Sequence, residues 1–330
     1  MKTHITRIYG RSGPSYLAQK TTAESAEDMG FLEIGLYCLD ISRESDSELK
    51  CRQTGSVSAV EEGDIVIIQS PSWNHNLYDD RLITRIRAFG WTKIIIMVHD
   101  VLAPLFTYGD DYMRETINFY NRADMLIVPS RRMLDFLRSK GLIVKKVKIQ
   151  TIYDHPVRNA LGKPAFLPNL YFNGPVQQYP FLNHWKNETP ITLFNSKEPA
   201  KGANIDWRGK VSEMELLTTC AKGGFGLLWP DGIGIEGYSL MTQPYDLGTY
   251  LAAGIPVIMQ RGMTGEQFVT EHGLGFVVDS LGEAGDMVRR CTRNEYYAML
   301  AHMEYISFLV RNGYYTKKLF TDAVFELVNG

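Results

Sequence analysis

Short β-branched and aliphatic runs alternate with amphipathic stretches through the first half of the chain, the pattern that a parallel sheet with crossover helices imposes. Strands are predicted at residues 5–9, 33–38, 64–69, 93–98, 125–128 and 147–152, and helices at 15–29, 79–89, 111–122 and 131–140. The alternation then stops: Asp154-His155-Pro156, Gly162-Lys163-Pro164 and Leu167-Pro168 concentrate proline and glycine, as a connection between domains does. The predicted boundary lies near residue 160, giving domains at 1–160 and 161–330. Strands return at 169–172, 191–194, 204–207, 226–229, 256–259 and 275–278, with helices between them. Both halves therefore read as doubly wound α/β domains. From Glu295 onward the chain is amphipathic and rich in aromatics, a helical stretch expected to pack into a core, its last helix either on its own domain or back on the first.

Length supports the division, since 330 residues exceed the ~250–300 at which a single core stops growing. A formal charge of −2, from 35 basic and 37 acidic residues mixed along the chain, provides no overall field for nucleic acid or an anionic membrane. The densest basic cluster, Lys145-Lys146-Val147-Lys148, reads as a solvated strand edge. No apolar run approaches the ~18 residues of a membrane span, and Met1-Lys2-Thr3-His4 leads into a strand without an apolar signal core, so a cytoplasmic protein without a transmembrane segment is expected. Cys38, Cys51, Cys220 and Cys291 form no CxxC pair and have no histidine at zinc-ligand spacing; buried or partly buried free thiols and no structural metal are expected.

The most particular stretch is Gln243-Pro244-Tyr245-Asp246-Leu247-Gly248-Thr249-Tyr250-Leu251-Ala252-Ala253-Gly254-Ile255-Pro256-Val257-Ile258. A proline-bearing loop opens a helix, Ala252 and Ala253 allow close packing, Gly254 ends it and Pro256 leads into a strand. Exposed amides at such a helix start suit a diphosphate. Asp246 fits an N-cap there, although its charge competes with phosphate. His99 and Asp100 follow the apolar run 93–98, at the carboxyl edge where open α/β sheets bind ligands, and either is a candidate base for an acceptor hydroxyl. Asp154-His155 ends the last strand of the first domain in the same way and reads as hinge structure.

Together with Gly223-Gly224-Phe225-Gly226-Leu227-Leu228-Trp229, Gly273-Leu274-Gly275-Phe276-Val277-Val278, Ser70-Pro71-Ser72-Trp73-Asn74 and Val98-His99-Asp100-Val101, the 243–258 segment resembles the glucosyltransferase 3-like enzymes, which extend O-linked N-acetylglucosamine on bacterial serine-rich-repeat adhesins. The resemblance runs over essentially the whole chain. It implies a GT-B fold, two Rossmann-like domains facing a cleft. It also implies a UDP-sugar donor, most often UDP-glucose, with no metal or other cofactor, a glycosylated serine-rich polypeptide acceptor, and a homo-oligomer. The loop 9–16 would then face the donor through Ser15 and Tyr16. Donor contacts are expected from Gly174 and Gln178 after the second domain's first strand, from Gly209, Lys210, Val211 and Ser212 after its third, and from Pro244, Tyr245, Asp246, Leu247, Gly248 and Thr249 at the helix start.

Two positions depart from the family pattern. Gln178 stands where relatives place a basic residue, and Asp246 where they place lysine. Both remove expected partners of a pyrophosphate, with Arg208, Lys210, Lys197 and Lys201 as candidate replacements. The departures keep two other functions open: a GT-B transferase using another UDP-sugar such as UDP-galactofuranose, and a catalytically silent GT-B subunit that binds acceptor or a partner enzyme.

Overall fold

The computed structural model describes residues 1–159, 161–230 and 232–330. They form two units, Met1–Thr151 with Tyr315–Gly330, and Ile152–Tyr314. In the first, β1 (Thr3–Tyr9), α1 (Pro14–Glu27), β2 (Leu32–Tyr37), α2 (Asp46–Ser56), β3 (Ile65–Ser70), α3 (Asn76–Arg87), β4 (Lys93–Val98), α4 (Leu102–Leu105), α5 (Asp110–Tyr120), β5 (Met125–Val128), α6 (Arg131–Ser139) and β6 (Val147–Ile149) follow in order. The strands make one parallel sheet in the order β2-β1-β3-β4-β5-β6. Its centre is apolar on both faces, with Ile65–Ile68 and Ile94–Val98 excluded from solvent. β4 and β5 have the bounds predicted from their apolar runs.

Helix α2 lies in a stretch assigned no element above. Ser45 caps it through the Glu48 amide while the Glu48 carboxylate returns to the Ser45 amide, a reciprocal capping box. Only Leu49 and Gln53 on α2 are buried, so its apolar periodicity is faint and the Ser-x-x-Glu spacing is the signal that marks it.

The loop from β3 to α3 holds non-glycine residues in left-handed backbone, Trp73 at φ 63° and His75 at φ 79°. Asn74 restrains it: its side-chain amide donates to Tyr37 O (2.9 Å) and its carbonyl oxygen accepts from the Leu39 amide (2.7 Å). Below the loop, burial pushes the Asp79 carboxyl up to about 7, against hydrogen bonds from Ser72 that favour the charged form. A carboxyl whose folded pKa lies above its unfolded value, roughly 3.9, contributes its full stability below that unfolded value and loses it as pH rises through the folded one. The first unit should therefore melt lower at pH 8 than at pH 5.5 by more in the wild type than in Asp79→Asn. Equal pH slopes in scanning calorimetry would refute this.

The second unit repeats the plan with β7 (Ala165–Asn173), β8 (Ile191–Phe194), β9 (Ile205–Trp207), α7 (Glu213–Cys220), β10 (Gly223–Leu228), α8 (Tyr245–Ala253), β11 (Val257–Gln260), α9 (Glu266–Glu271), β12 (Gly275–Val278), α10 (Leu281–Arg290) and α11 (Arg293–Arg311). The parallel order is β12-β11-β10-β7-β8-β9. β7 starts four residues before its predicted start and contains Pro168. The proline is tolerated because pairing with β10 shifts register between Ala165 and Leu170, so the missing N–H falls in an irregular stretch. Leu170, Phe172, Leu193, Phe225, Ile258 and Tyr296 anchor the core.

The last helix, α12 (Tyr314–Asn329), belongs to the first unit from Tyr315 on. Phe320, Ala323 and Leu327 enter the cluster of Ile5, Ile67 and Ile95, and Phe320 stacks on Phe31 with ring centroids 5.9 Å apart. Lys148, from the basic cluster expected to be solvated, pairs with Glu326 at 2.6 Å, and Lys317 pairs with Asp28 at 3.0 Å. The four cysteines are free; Cys51 is exposed on α2, whereas Cys220 and Cys291 are buried. No helix among the described residues is long and apolar enough to cross a membrane.

Candidate active site

In each sheet the chain winds outward in two directions from one pair of strands, β1 and β3 in the first and β7 and β10 in the second. The carboxyl ends of such a pair leave a crevice where open α/β sheets bind ligands. Around the first lie the loop 10–16, the strained loop 71–75 and the residues after β4. Gly10 (φ 79°) and Gly13 (φ 106°) carry the loop into α1 in a backbone shape that side chains resist.

His99 and Asp100 part company here. His99 is buried, its backbone amide donates to Ser70 O at 2.8 Å, and its Nε2 lies 2.9 Å from Gln69 Oε1. The Gln69 amide nitrogen donates to Thr6 O (2.6 Å) and Gln19 O (3.0 Å), so the oxygen facing His99 is the acceptor and Nε2 carries the proton. Burial pushes the imidazole down to about 3, so it stays neutral. His99 thus ties β4 to β3 and α1, while the partly exposed Asp100 accepts a hydrogen bond from Ser15 Oγ at 2.6 Å. Ser15 and Asp100, two of the residues singled out in the sequence, meet across 85 residues of chain. Tyr16 lies beside them on α1, half-buried.

At the second crevice α8 begins after Pro244, which occupies the cap position in extended backbone and makes no side-chain cap bond. Asp246 is therefore not the N-cap expected from the sequence; it is the second residue of the helix. Its carboxylate accepts from Asn173 Nδ2, at the end of β7, at 3.0 Å. Burial raises it to about 6, against the Asn173 hydrogen bond and nearby His155. Leu247 is buried, and Gly248 is packed so tightly that a Cβ would overlap the Tyr153 carbonyl oxygen. Thr249 is buried too, with its hydroxyl 3.2 Å from His155 Nδ1. The Tyr245 hydroxyl donates to Glu213 Oε1 at 2.8 Å.

Neighbouring loops carry the remaining candidates. Gly174 is buried where a Cβ would come within 2.6 Å of the Tyr179 ring and 2.8 Å of the Phe172 ring. Gln178 is exposed and, with Gln177, Tyr179, Phe181, Trp229 and Ile233, lines a pocket of about 370 Å³. The residues after β9 are spread out. Gly209 (φ 72°) accepts the Asn195 amide at its carbonyl, Lys210 is exposed, Val211 is half-buried, and the Ser212 hydroxyl caps α7 through the Glu215 amide. Arg208, offered above as a replacement cation, chelates Asp206 at 2.6–2.9 Å. Glu213 and His155 are members of this constellation not proposed as site residues from the sequence, whereas Asn173 opens the turn Asn173-Gly174-Pro175 that the sequence assigns to donor binding.

The chain matches the models for the glucosyltransferase 3-like N-terminal domain over residues 2–152 and C-terminal domain over residues 170–323. It is 40% identical over 339 aligned residues to Glucosyltransferase 3 of Streptococcus gordonii, covering 100% of both chains. It is 33% identical to Glucosyltransferase 3 of Streptococcus parasanguinis, covering 99% of both. Among solved structures it superposes on Anabaena HepE in complex with UDP-glucose with a TM-score of 0.66, at 11% identity and with full coverage of both chains, a likeness of fold that places its two Rossmann-like domains in the GT-B class.

Proposed function

Because this chain belongs to the glucosyltransferase 3-like family and is a glycosyltransferase, we propose that it moves glucose from UDP-glucose to O-linked N-acetylglucosamine on a serine-rich polypeptide in the cytoplasm. The observation that carries the donor half is the start of α8 at the carboxyl edge of the second sheet. There, Asn173 at the end of β7 bonds the Asp246 side chain on the first turn of the helix, and at the same carboxyl edge the loops after β7 and β10 form the aromatic pocket of Tyr179, Phe181 and Trp229. The amides and helix dipole hold the diphosphate, and the aromatic walls take a flat or apolar ring face. The HepE complex with UDP-glucose supports the choice of donor. The first unit supplies Asp100, oriented by Ser15, as base toward the acceptor hydroxyl. Presenting a panel of UDP-sugars with a GlcNAc-bearing serine peptide tests the reading: glucose should be transferred fastest, and the product's anomeric proton in NMR reports the linkage. Faster transfer of another hexose would overturn the donor assignment, and absence of UDP binding would favour a silent subunit.

In this reading Asp246 repels the diphosphate whenever it is ionised, and its raised pKa makes that repulsion adjustable. Affinity for UDP-glucose, whose diphosphate does not titrate near neutrality, should rise as pH falls through about 6. Asp246→Asn should bind more tightly at pH 7.5 and lose that pH dependence. Weaker binding in the variant would mean instead that the carboxylate holds a hydroxyl of the ligand.

A further inference from the structure

Asp154-His155 reads in the sequence as hinge structure, yet within the second unit the segment that carries it is built onto α8. Its Tyr153 carbonyl lies against Gly248, which no larger residue could replace without displacement, and the Tyr153 and Tyr245 rings are 5.9 Å apart. His155 follows, almost fully buried, with both ring nitrogens engaged. Nε2 is 3.1 Å from Glu213 Oε1 and Nδ1 is 3.2 Å from Thr249 Oγ1. A carboxylate only accepts, so Nε2 carries a proton, and in the neutral ring Nδ1 accepts from the threonine hydroxyl. The same Glu213 oxygen accepts from Tyr245, so one imidazole links the two ends of the first turn of α8 to the start of α7. From the other side Arg311 Nε donates to Ala252 O at 2.6 Å, and the His155 amide donates to Val310 O at 3.2 Å.

We infer that His155 is a positioning residue for the donor site, acting through Glu213, Tyr245 and Thr249 to fix the direction in which the first amides of α8 point. The inference rests on the reading of α8 as the diphosphate site. Helix amides bind an anion only when several converge on it, so a small rotation of the first turn loses affinity with no direct contact removed. Because Thr249 is turned toward His155, its hydroxyl serves the same purpose, rather than phosphate binding.

UDP affinity by calorimetry and steady-state constants for UDP-glucose, measured on the full chain, test this in His155→Ala, His155→Gln, Thr249→Val and Asp246→Lys. His155→Ala should weaken UDP binding about tenfold or more and raise KM for UDP-glucose by a similar factor, with kcat changed far less. His155→Gln, which restores a donor toward Glu213, should recover part of the loss, and Thr249→Val should resemble His155→Ala more weakly. A purely structural role would lower the folded, active fraction and hence apparent kcat, leaving KM alone, and that result would overturn the inference. Should His155→Ala fail to fold, His155→Gln and Thr249→Val carry the same comparison, and unchanged UDP affinity in both overturns it. Asp246→Lys separates the two layers. If it tightens UDP binding while the His155 variants leave it unchanged, only the positioning role falls; if none of the four moves it, α8 is not the donor site and both readings fall.

Discussion

Replacing Asp100 by asparagine should lower turnover by roughly 10²–10⁴ and leave UDP affinity near the wild-type value, the signature of losing a general base rather than a binding contact. Asparagine keeps an oxygen to accept the 2.6 Å hydrogen bond from Ser15, so the loop 10–16 keeps its partner and the fold should survive. What it lacks is a site for the acceptor's proton. Ser15→Ala provides the contrast: the carboxylate remains but loses its orienting hydrogen bond, and a much smaller fall is expected. His99→Gln should act differently from either, lowering stability, because the neutral imidazole ties β3 to β4 from inside the core. If Asp100→Asn turns over within a few-fold of wild type, the proton is taken by another group. A retaining reaction in which the departing phosphate oxygen accepts it would be the first to test.

A large stability effect is expected from one methyl group at Gly226. This strand residue lies in β10, where a Cβ would run into the face of the Tyr250 ring on α8. Tyr250 has no room to retreat: it is fully buried, and its hydroxyl donates to Tyr171 O at 3.1 Å on neighbouring β7. Overpacking a core costs about 1–3 kcal/mol, and a buried hydroxyl deprived of its partner about 1–3 more. For a domain of roughly 150–250 residues, each kcal/mol lowers Tm by about 2–4 °C. Gly226→Ala should therefore melt the second unit on the order of 10 °C lower in scanning calorimetry and, by moving α8, weaken UDP binding. Gly282→Ala is the control: there the new Cβ meets only Ser280 Oγ, at 3.8 Å, and little change is expected. Matching melting temperatures for the two variants would show that the β10–α8 contact is softer than its geometry implies.

Much of the architecture was legible because the sheets are parallel and buried. Apolar runs such as 93–98, 125–128, 191–194 and 275–278 have few other ways to satisfy their side chains, and all four appear as strands with the predicted bounds. The pattern failed where packing contributes little or where a rule has a local exception. Helix α2 buries two residues and is specified by its cap, and Pro168 escapes the usual penalty by sitting in a register shift. The site was legible as positions along strand ends, but its pairings were not. Asn173 meets Asp246 across 73 residues and His155 meets Thr249 across 94, separations at which no spacing pattern operates. The N-cap assignment of Asp246 failed for a simpler reason: Pro244 is rigid in the extended conformation that a cap needs, and starts the helix earlier.

The return of α12 to the first unit bears on how the protein is made. During synthesis the residues from Ile152 to Tyr314 are complete before Phe320, Ala323 and Leu327 have been added, so the second unit can close while the first still lacks part of its wall. The nascent first unit must wait, with Ile5, Ile67 and Ile95 open on one side, for a segment translated after everything in between. Completing the first unit's core therefore depends on the last part of the chain to be made, and a product cut short before Tyr315 would leave that apolar wall open.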